Sequence, residues 1–293
     1  LFPYTTLFRS IGVNRNEISD LGLLPADFGC LGERVGYYGN SLGDHFGVGH
    51  IFLAGEAPGL FYGYVTQGIV QKEDITENGI KYIKQDGSVG YYQTVNKTTP
   101  VAGDVKYVDR NGDGVVDDND RDIIGNPNPD FTYDFQTKVS WKSLSLSASF
   151  NGVQGRDILN VGNRYNNTPG TKSNNVTRKA FQNMWTDENP SNLYPKSTFV
   201  VQNMVMDRYV EDGSYLRCSD ITLSYILPAK WTNKIGIKNT SVYASVKNAF
   251  VITDYSGYDP EVNSFAFDGL RPGVDMNSYP TPRSFVFGLN LTF

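Results

Sequence analysis

The stretch FTYDFQTKVSWKSLSLSASFN, residues 131–151, alternates between apolar and polar side chains through two successive runs. Alternation with a period of two indicates a β-strand that turns one face to an apolar environment and the other to a polar one. Only Lys142 and Ser143 separate the runs, which is the spacing of a tight hairpin. The predicted apolar positions are Phe131, Tyr133, Phe135, Val139 and Trp141 in the first run, and Leu144, Leu146, Ala148 and Phe150 in the second.

Similar alternation recurs in residues 220–227, 242–247 and 284–293, the last of which ends on Phe293. The run at 59–70, GLFYGYVTQGIV, is a further candidate strand with less regular alternation. The connections alternate in length: 142–143 is very short, 155–214 is long, 228–240 is moderate and 253–283 is long again. A short helix is predicted in VTRKAFQNMW, within the first long connection.

Two folds account for this pattern. In an antiparallel sheet every second connection lies at the same end, so short turns at one end and long loops at the other predict a transmembrane β-barrel. A soluble β-sandwich also alternates, with its apolar face forming a core. Strands near ten residues and bulky aromatics near strand ends favour the barrel. About six strands cannot close a wide barrel, so we expect the chain to be the C-terminal part of a larger one.

The composition excludes some classes of protein and is compatible with a transmembrane β-barrel. Mean hydropathy is -0.37, and no uncharged apolar run reaches the ~18 residues of a membrane-spanning helix. Net charge is -5 without a basic block, so no nucleic acid partner is expected. The sequence has no GxSxG, HExxH or P-loop motif, so no enzymatic activity is expected. His45 and His50 are predicted to lie in a surface loop.

The first ten residues differ in character from the rest. LFPYTTLFRS, residues 1–10, resembles translated sequencing-adapter sequence and lacks the features of a signal peptide. We therefore predict that residues 1–10 are foreign and that residues 11–293 are the protein proper.

DRNGDGVVDDND, residues 109–120, has the spacing of a calcium-binding loop. Calcium takes six to eight oxygen ligands, which a twelve-residue loop supplies from positions 1, 3, 5, 7 and 12, with glycine at position 6. The predicted ligands are Asp109, Asn111, Asp113, the carbonyl of Val115, and Asp120.

The flanks of this loop argue against a regulatory EF-hand. GDVKYV before it favours an extended conformation, and the two prolines of RDIIGNPNPDF leave no room for a long exiting helix. Position 12 is Asp rather than the usual Glu, which shortens its reach. The loop is thus predicted to hold a structural Ca²⁺, with a plain acidic turn as the alternative.

Four motifs in order resemble the late segments of the SusC/RagA-type TonB-dependent outer-membrane transporters. They are GLFYGYVTQGI, GDVKYVDRNGDGVVDDNDRDIIGNPNPDFTYDF, VKNAFVITDYSGYDPE and YPTPRSFVFGLNLTF, with NRNEISDL resembling a stretch just upstream. The resemblance covers most of residues 11–293.

This resemblance implies location in the outer membrane, in contact with its lipid, within a plugged barrel of roughly 22 strands. It also implies a SusD-like surface lipoprotein as a lid, and energy from the TonB complex through regions absent from these residues. The implied cargo is an oligosaccharide or peptide. A secreted calcium-binding β-module, such as an adhesin, is the alternative function.

Overall fold

A computed structural model describes residues 4–22, 29–31, 34–43, 46–168, 175–197, 204–232 and 239–292. Strands predominate, and the helices are short. In chain order the strands are β1 (Tyr4–Gly12), β2 (Gly29–Leu31), β3 (Arg34–Tyr38), β4 (His50–Leu53), β5 (Leu60–Tyr64), β6 (Thr66–Ile69), β7 (Ile75–Thr76), β8 (Gly79–Ile83), β9 (Val89–Tyr92), β10 (Thr94–Val95), β11 (Val105–Tyr107), β12 (Val115–Val116), β13 (Arg121–Gly125), β14 (Phe131–Trp141), β15 (Leu144–Gln154), β16 (Asp157–Asn160), β17 (Val210–Asp212), β18 (Tyr215–Ile226), β19 (Asn239–Thr253), β20 (Val274–Asp275) and β21 (Ser284–Thr292). The helices are α1 (Val161–Asn167), α2 (Arg178–Asn183) and α3 (Ala229–Thr232).

The largest sheet has six antiparallel strands in the order β1-β14-β15-β18-β19-β21. It contains all the strands predicted from 131–151, 220–227, 242–247 and 284–293, and α2 confirms the predicted short helix. Phe293 itself lies outside the described residues. The turn at 142–143 and the segment after β18 lie at one end of the sheet. The long connections 155–214 and 254–283 lie at the other, as the alternating lengths predicted. A third long connection, 13–130, which was not predicted, joins β1 to β14 at that same end.

The register of the six-stranded sheet aligns the apolar positions of neighbouring strands. Residues directly opposite each other in an antiparallel pair share a face. One row of partners consists of Phe287, Ala244, Leu223, Leu146 and Val139, from β21 to β14. The next row, which points the other way, contains Ser245, Thr222, Ser147 and Lys138. We call these two sides of the sheet the apolar face and the polar face.

Burial of the two faces is the reverse of that in a soluble sandwich. On the inner strands β18 and β19, Leu223 of the apolar face is 47% exposed whereas Ser245 of the polar face is 4% exposed. Phe287 and Leu289 are exposed as well. A sheet that curves toward its polar side crowds the polar side chains and spreads the apolar ones outward. Among the described residues, no dry core forms on the apolar face, so the sandwich alternative is wrong for this sheet.

Hydrogen bonds connect the side chains of the polar face. Asp220 forms an ion pair with Lys247 at 2.7 Å and accepts a 2.8 Å hydrogen bond from the hydroxyl of Ser245. Thr222 donates to Asp220 as well. Further along, the hydroxyls of Ser140 and Ser145 lie 2.8 Å apart on neighbouring strands. The polar face is therefore a connected polar surface on the inside of the curve.

A β-bulge at Ser219 interrupts the alternation of β18. Ser149 of β15 pairs with Asp220, but the next residue, Phe150, pairs with Cys218, so Ser219 is an extra residue. An extra residue reverses the facing of all that precede it on the strand. Arg217 would share the apolar face with Leu223 in a regular strand, but here it pairs with Asn151 on the polar face.

Strand β1 includes most of the segment predicted to be foreign. Tyr4–Gly12 pairs with β14 along its whole length. Its side chains match the two faces poorly, because Arg9 lies opposite Phe135 on the apolar face and Phe8 lies opposite Gln136 on the polar face. The foreign origin of residues 1–10 stays a prediction.

The hydrophobic core of the molecule lies in the three long connections, which we call the loop layer (13–130, 155–214 and 254–283). Its largest buried cluster draws on all three and is rich in tyrosine, including Tyr64, Tyr82, Tyr92 and Tyr107. The run at 59–70 belongs here, as β5 and β6 in two smaller sheets, rather than in the six-stranded sheet. Its weak alternation reflects burial on both sides, since every residue of β5 is buried.

His50 is an exception to the prediction of a surface loop, because its side chain is fully buried in the loop layer. Nε2 lies 2.9 Å from the carbonyl oxygen of Pro272, and buried Nδ1 has no hydrogen-bond partner among the residues that the structure describes. Burial lowers the pKa of His50 to about 4, so the ring is neutral and its Nε2–H donates to Pro272. His45 lies outside the described residues.

Among the described residues, no helix combines the length and the apolar character needed to cross a membrane.

Leu146→Lys and Ser147→Lys place the same charge on opposite faces of β15. Because the apolar face is predicted to meet hydrocarbon, Leu146→Lys should destabilise membrane assembly by about 2–4 kcal/mol, whereas Ser147→Lys, on the polar face, should cost far less. Heat-modifiable gel mobility of a membrane-assembled protein carrying this segment measures the difference. Equal effects of the two variants would contradict the assignment of the faces.

Candidate functional site

The five residues predicted to bind calcium occupy two environments. Asp109 and Asp120 are buried at the base of the acidic loop, 2% and 0% exposed. Asn111, Asp113 and Val115 are exposed at its rim. Gly114, at the position where the chain turns, has a φ of 87°, in the left-handed region that favours glycine. The loop closes through a 3₁₀ turn at Asp118–Asp120 and leads directly into β13, in agreement with the prediction that no long helix follows.

Backbone amides engage the carboxylates of this loop. Asp109 accepts from the N–H groups of Gly112 and Gly114 at 2.6 and 2.9 Å. Asp120 accepts from the N–H groups of Arg110 and Asp117 at 2.7 and 2.8 Å. Burial nonetheless raises the pKa of Asp120 above its ordinary value, against the opposing effect of these hydrogen bonds.

The carboxylates of the acidic loop do not form a metal-binding group by themselves. Within the described ranges, no group of three or more His, Cys, Asp or Glu side chains is placed to hold a metal ion. The predicted set also counts an amide and a carbonyl oxygen, which suits calcium because it binds neutral oxygens as well as carboxylates.

Tyrosines attach the acidic loop to the core of the loop layer. Tyr82 donates a 2.7 Å hydrogen bond to the carbonyl oxygen of Asp109, and Tyr64 donates one of 3.0 Å to the carboxylate of Asp118. The guanidinium of Arg121, just after the loop, lies 4.6 Å from the ring centre of Tyr62. Any change in the conformation of the loop would therefore act on the packing of the loop layer.

A second feature is an open polar cavity of about 530 Å³ between two of the long connections. Five asparagines contribute to its wall, and we call it the asparagine cavity. Its lining residues are Asn160, Asn163, Asn166, Asn167, Thr177, Lys179, Tyr194, Glu211, Ser256, Gly257, Tyr258, Asp275 and Asn277.

Glu211 organises one wall of the asparagine cavity. Its carboxylate accepts hydrogen bonds from the side-chain amides of Asn160 and Asn163, at 2.9 and 3.0 Å. It also accepts from the backbone N–H and the hydroxyl of Ser256. Oε1 of Glu211 accepts three of these bonds and Oε2 accepts one, so the wall presents amides beside a hydrogen-bonded carboxylate.

This cavity was not predicted from the sequence, although the sequence contains a signal for one of its walls. Asn160, Asn163 and Asn167 recur at intervals of three and four, which places them on one face of a helical turn. Asn160 in addition caps α1 by accepting from the N–H of Asn163 at 2.9 Å. The other wall comes from residues about a hundred positions later, which no local pattern connects to these.

A buried ion pair fixes the last long connection to the six-stranded sheet. Arg217 of β18 contacts the carboxylate of Asp259 at 2.5 Å, and both side chains are almost fully buried. Glu261 lies 3.3 Å from Nε of Arg217 and accepts a 2.7 Å hydrogen bond from Tyr215. The bulge at Ser219 makes this contact available, because it turns Arg217 to the polar face.

Comparison with known sequences finds relatives of one kind. The chain is 34% identical over 201 residues to TonB-dependent receptor P26 of Formosa agariphila, covering 66% of this chain and 20% of that protein. It is 34% identical over 194 residues to TonB-dependent receptor SusC of Bacteroides thetaiotaomicron, covering 64% of this chain and 17% of that protein. The chain thus spans about a fifth of the length of these relatives. No protein-family model matches it.

Comparison with solved structures identifies the fold. The structure of the RagAB peptide transporter matches 99% of this chain and 27% of the solved chain, with a TM-score of 0.66 and 23% sequence identity. The six-stranded sheet is therefore an arc of a large antiparallel transmembrane β-barrel, and the fold predicted from alternation is confirmed.

Arg217→Met tests the buried ion pair. The variant leaves Asp259 buried without its counter-charge, which should cost about 3–5 kcal/mol and loosen residues 254–283. Hydrogen exchange of that connection measures the loss. Lys72→Met is the matched control, since its pair with Asp187 is exposed and should contribute less than about 1 kcal/mol. Unchanged protection in Arg217→Met would show that the ion pair does not hold the connection.

Proposed function

We propose, from the membership of this chain in the SusC/RagA-type TonB-dependent receptors, that it forms part of an outer-membrane transporter that imports oligosaccharide or peptide nutrients. In this proposal the apolar face meets outer-membrane lipid and the polar face lines the water-filled interior. The loop layer then lies on the cell exterior, where cargo arrives.

The observation that carries the proposal is the asparagine cavity at the long-connection end of the barrel arc. A transporter needs a polar recess that binds a hydrated cargo without holding it too tightly to release it. Side-chain amides with both donors and acceptors, together with the exposed ring of Tyr258, suit that task. We assign the cavity to cargo contact.

Two partners complete the proposed transport cycle. A SusD-like surface lipoprotein would cover the loop layer, as the pairing of the RagAB transporter suggests. The TonB complex would supply energy through parts of the receptor outside this chain. The relatives are called receptors and a transporter, and this agrees with the expectation that the chain is not an enzyme.

Glu211→Ala in a receptor carrying this segment tests the cargo assignment. Removing the carboxylate leaves the donors of Asn160, Asn163 and Ser256 unsatisfied, at about 1–3 kcal/mol each, so the wall should collapse. Cellular uptake of fluorescent neutral oligosaccharides and peptides should fall at least about tenfold. Glu188→Ala, an exposed carboxylate on the same connection, is the matched control.

Three outcomes would count against this assignment. Uptake unchanged by Glu211→Ala would remove the cavity from the transport path. Uptake that continues in cells without TonB would contradict the proposed energy source. Recovery of the receptor from the culture medium without detergent would instead favour a secreted calcium-binding module.

We also propose that the acidic loop holds a structural Ca²⁺ through Asp109, Asn111, Asp113, the carbonyl of Val115, and Asp120. The all-oxygen set and the glycine at position 6 support it. An ion would draw the rim residues toward the buried base, and the tyrosines on the loop would transmit that order to the core. On the cell exterior, millimolar calcium makes even weak affinity sufficient.

Thermal unfolding of the receptor with calcium and with chelator tests this proposal. Calcium at about a hundred times its dissociation constant should stabilise the folded state by about 2.7 kcal/mol, and Asp113→Asn should reduce that gain. Asp187→Asn, an exposed carboxylate on another connection, should leave the gain intact. Identical melting curves in calcium and chelator would establish the acidic-turn alternative.

A further inference from the structure

One pair of side chains in the asparagine cavity has hydrogen-bonding capacity that the protein does not use. The side-chain amide of Asn166, on α1, donates to the side-chain carbonyl of Asn277 at 3.4 Å. Across the described residues, the side-chain carbonyl of Asn166 has no donor and the amide nitrogen of Asn277 has no acceptor. The pair therefore presents one acceptor and one donor group side by side to the cavity.

The two carboxylates of the cavity, Glu211 and Asp275, already accept hydrogen bonds from other protein groups. Glu211 accepts four hydrogen bonds, and Asp275 accepts from the hydroxyl of Tyr255 at 2.7 Å and from the N–H of Ser278 at 2.9 Å. Both carboxylates therefore already hold protein donors, and a cationic ligand would have to compete with them. Lys179 is the only cationic side chain among the lining residues that the structure describes.

Gly162 of α1 leaves the space that the side-chain amide of Asn277 occupies. A Cβ atom at this position would lie 2.2 Å from Oδ1 of Asn277 and 2.7 Å from its Cγ, so the two residues touch without room for a side chain. Asn277 has a φ of 65°, a left-handed conformation that asparagine tolerates better than most residues. Any larger residue at position 162 must displace the amide of Asn277.

The turn that carries Asn277 is held by other groups. Ser278 donates its N–H to Asp275, and Met276 donates its N–H to the hydroxyl of Ser264 at 2.9 Å. The hydroxyls of Ser264 and Ser278 lie 2.7 Å apart. The backbone of the turn is thus fixed independently of the Asn277 side chain, so a change at Gly162 acts on the amide and not on the fold of the connection.

We infer that Asn166 and Asn277 form a paired-amide contact that selects an uncharged, hydroxyl-rich ligand, and that Gly162 positions this contact. Adjacent sugar hydroxyls each donate and accept, so they fill one free acceptor and one free donor together. Tyr258, 70% exposed at the cavity, offers a ring face for the apolar side of a sugar. Among the described lining residues, Lys179 is the one charged side chain whose charged group has no hydrogen-bond partner, so a peptide with charged ends would find few partners. This inference rests on the proposed role of the cavity in cargo binding.

The test uses the full receptor carrying this segment, purified in detergent, on an array of neutral oligosaccharides, acidic oligosaccharides and peptides. Asn166→Ala and Asn277→Ala should each weaken binding of the neutral oligosaccharide by about tenfold or more. Gly162→Ala should reproduce the effect of Asn277→Ala, and the double variant should be no weaker than either. Asn290→Ala, on the polar face of β21, is the matched control. Melting curves of all variants show whether each is folded.

The outcomes separate this inference from the proposal on which it rests. Binding equal to that of the wild type in folded Asn166→Ala and Asn277→Ala would overturn the paired contact while leaving transport intact. Loss of peptide binding instead of oligosaccharide binding would overturn the ligand class. Additive effects of Gly162→Ala and Asn277→Ala would overturn the positioning role. A wild-type receptor that binds neither oligosaccharides nor peptides would overturn both the proposed function and this inference.

Discussion

The structure depends on pairing the backbone N–H and C=O groups of the long strands in a register that gives the sheet one apolar and one polar face. Hydrocarbon offers no hydrogen bonds, so a strand in it must have a neighbour on each side and the same register as that neighbour. The row from Phe287 to Val139 shows this register across five strands. A slip of one residue in any pair would move Ser147 or Thr222 to the apolar face and Leu146 or Leu223 to the polar face. The register of each strand pair therefore also determines which face of the sheet each side chain occupies.

A second layer follows from the first. Because the apolar side chains of the strands point outward, they cannot supply a core, and the molecule forms one in its long connections instead. Tyrosine suits this layer, since its ring fills space while its hydroxyl can satisfy a buried carbonyl or carboxylate. Tyr82 and Tyr64 do so for the acidic loop. The cavity is set in this ordered layer, where its walls are held by packed elements.

Local pattern in the sequence predicted the parts of the structure that are local in the chain. The strands of 131–151 followed from alternation, and the acidic loop was found because its candidate ligands lie within twelve residues. The run at 59–70 does form strands, and its alternation is weak because burial on both sides of β5 removes the difference between the two faces. The asparagine cavity was missed because Asn166 and Asn277 are 111 residues apart and meet only through the fold. Alternation in β18 could be followed only from Asp220 onward, since the bulge reverses it.

The extra residue Ser219 divides β18 into two halves in which the alternation between the two faces has opposite phase. The half of β18 toward the short turn has its odd-numbered residues on the apolar face, and the half toward the long connections has its even-numbered residues there. Arg217 and Tyr215 can thus contact the last long connection while Leu223 and Tyr225 stay on the apolar face. Substitutions in the half toward the long connections can therefore change what those connections contact without changing which residues of the other half lie on the apolar face.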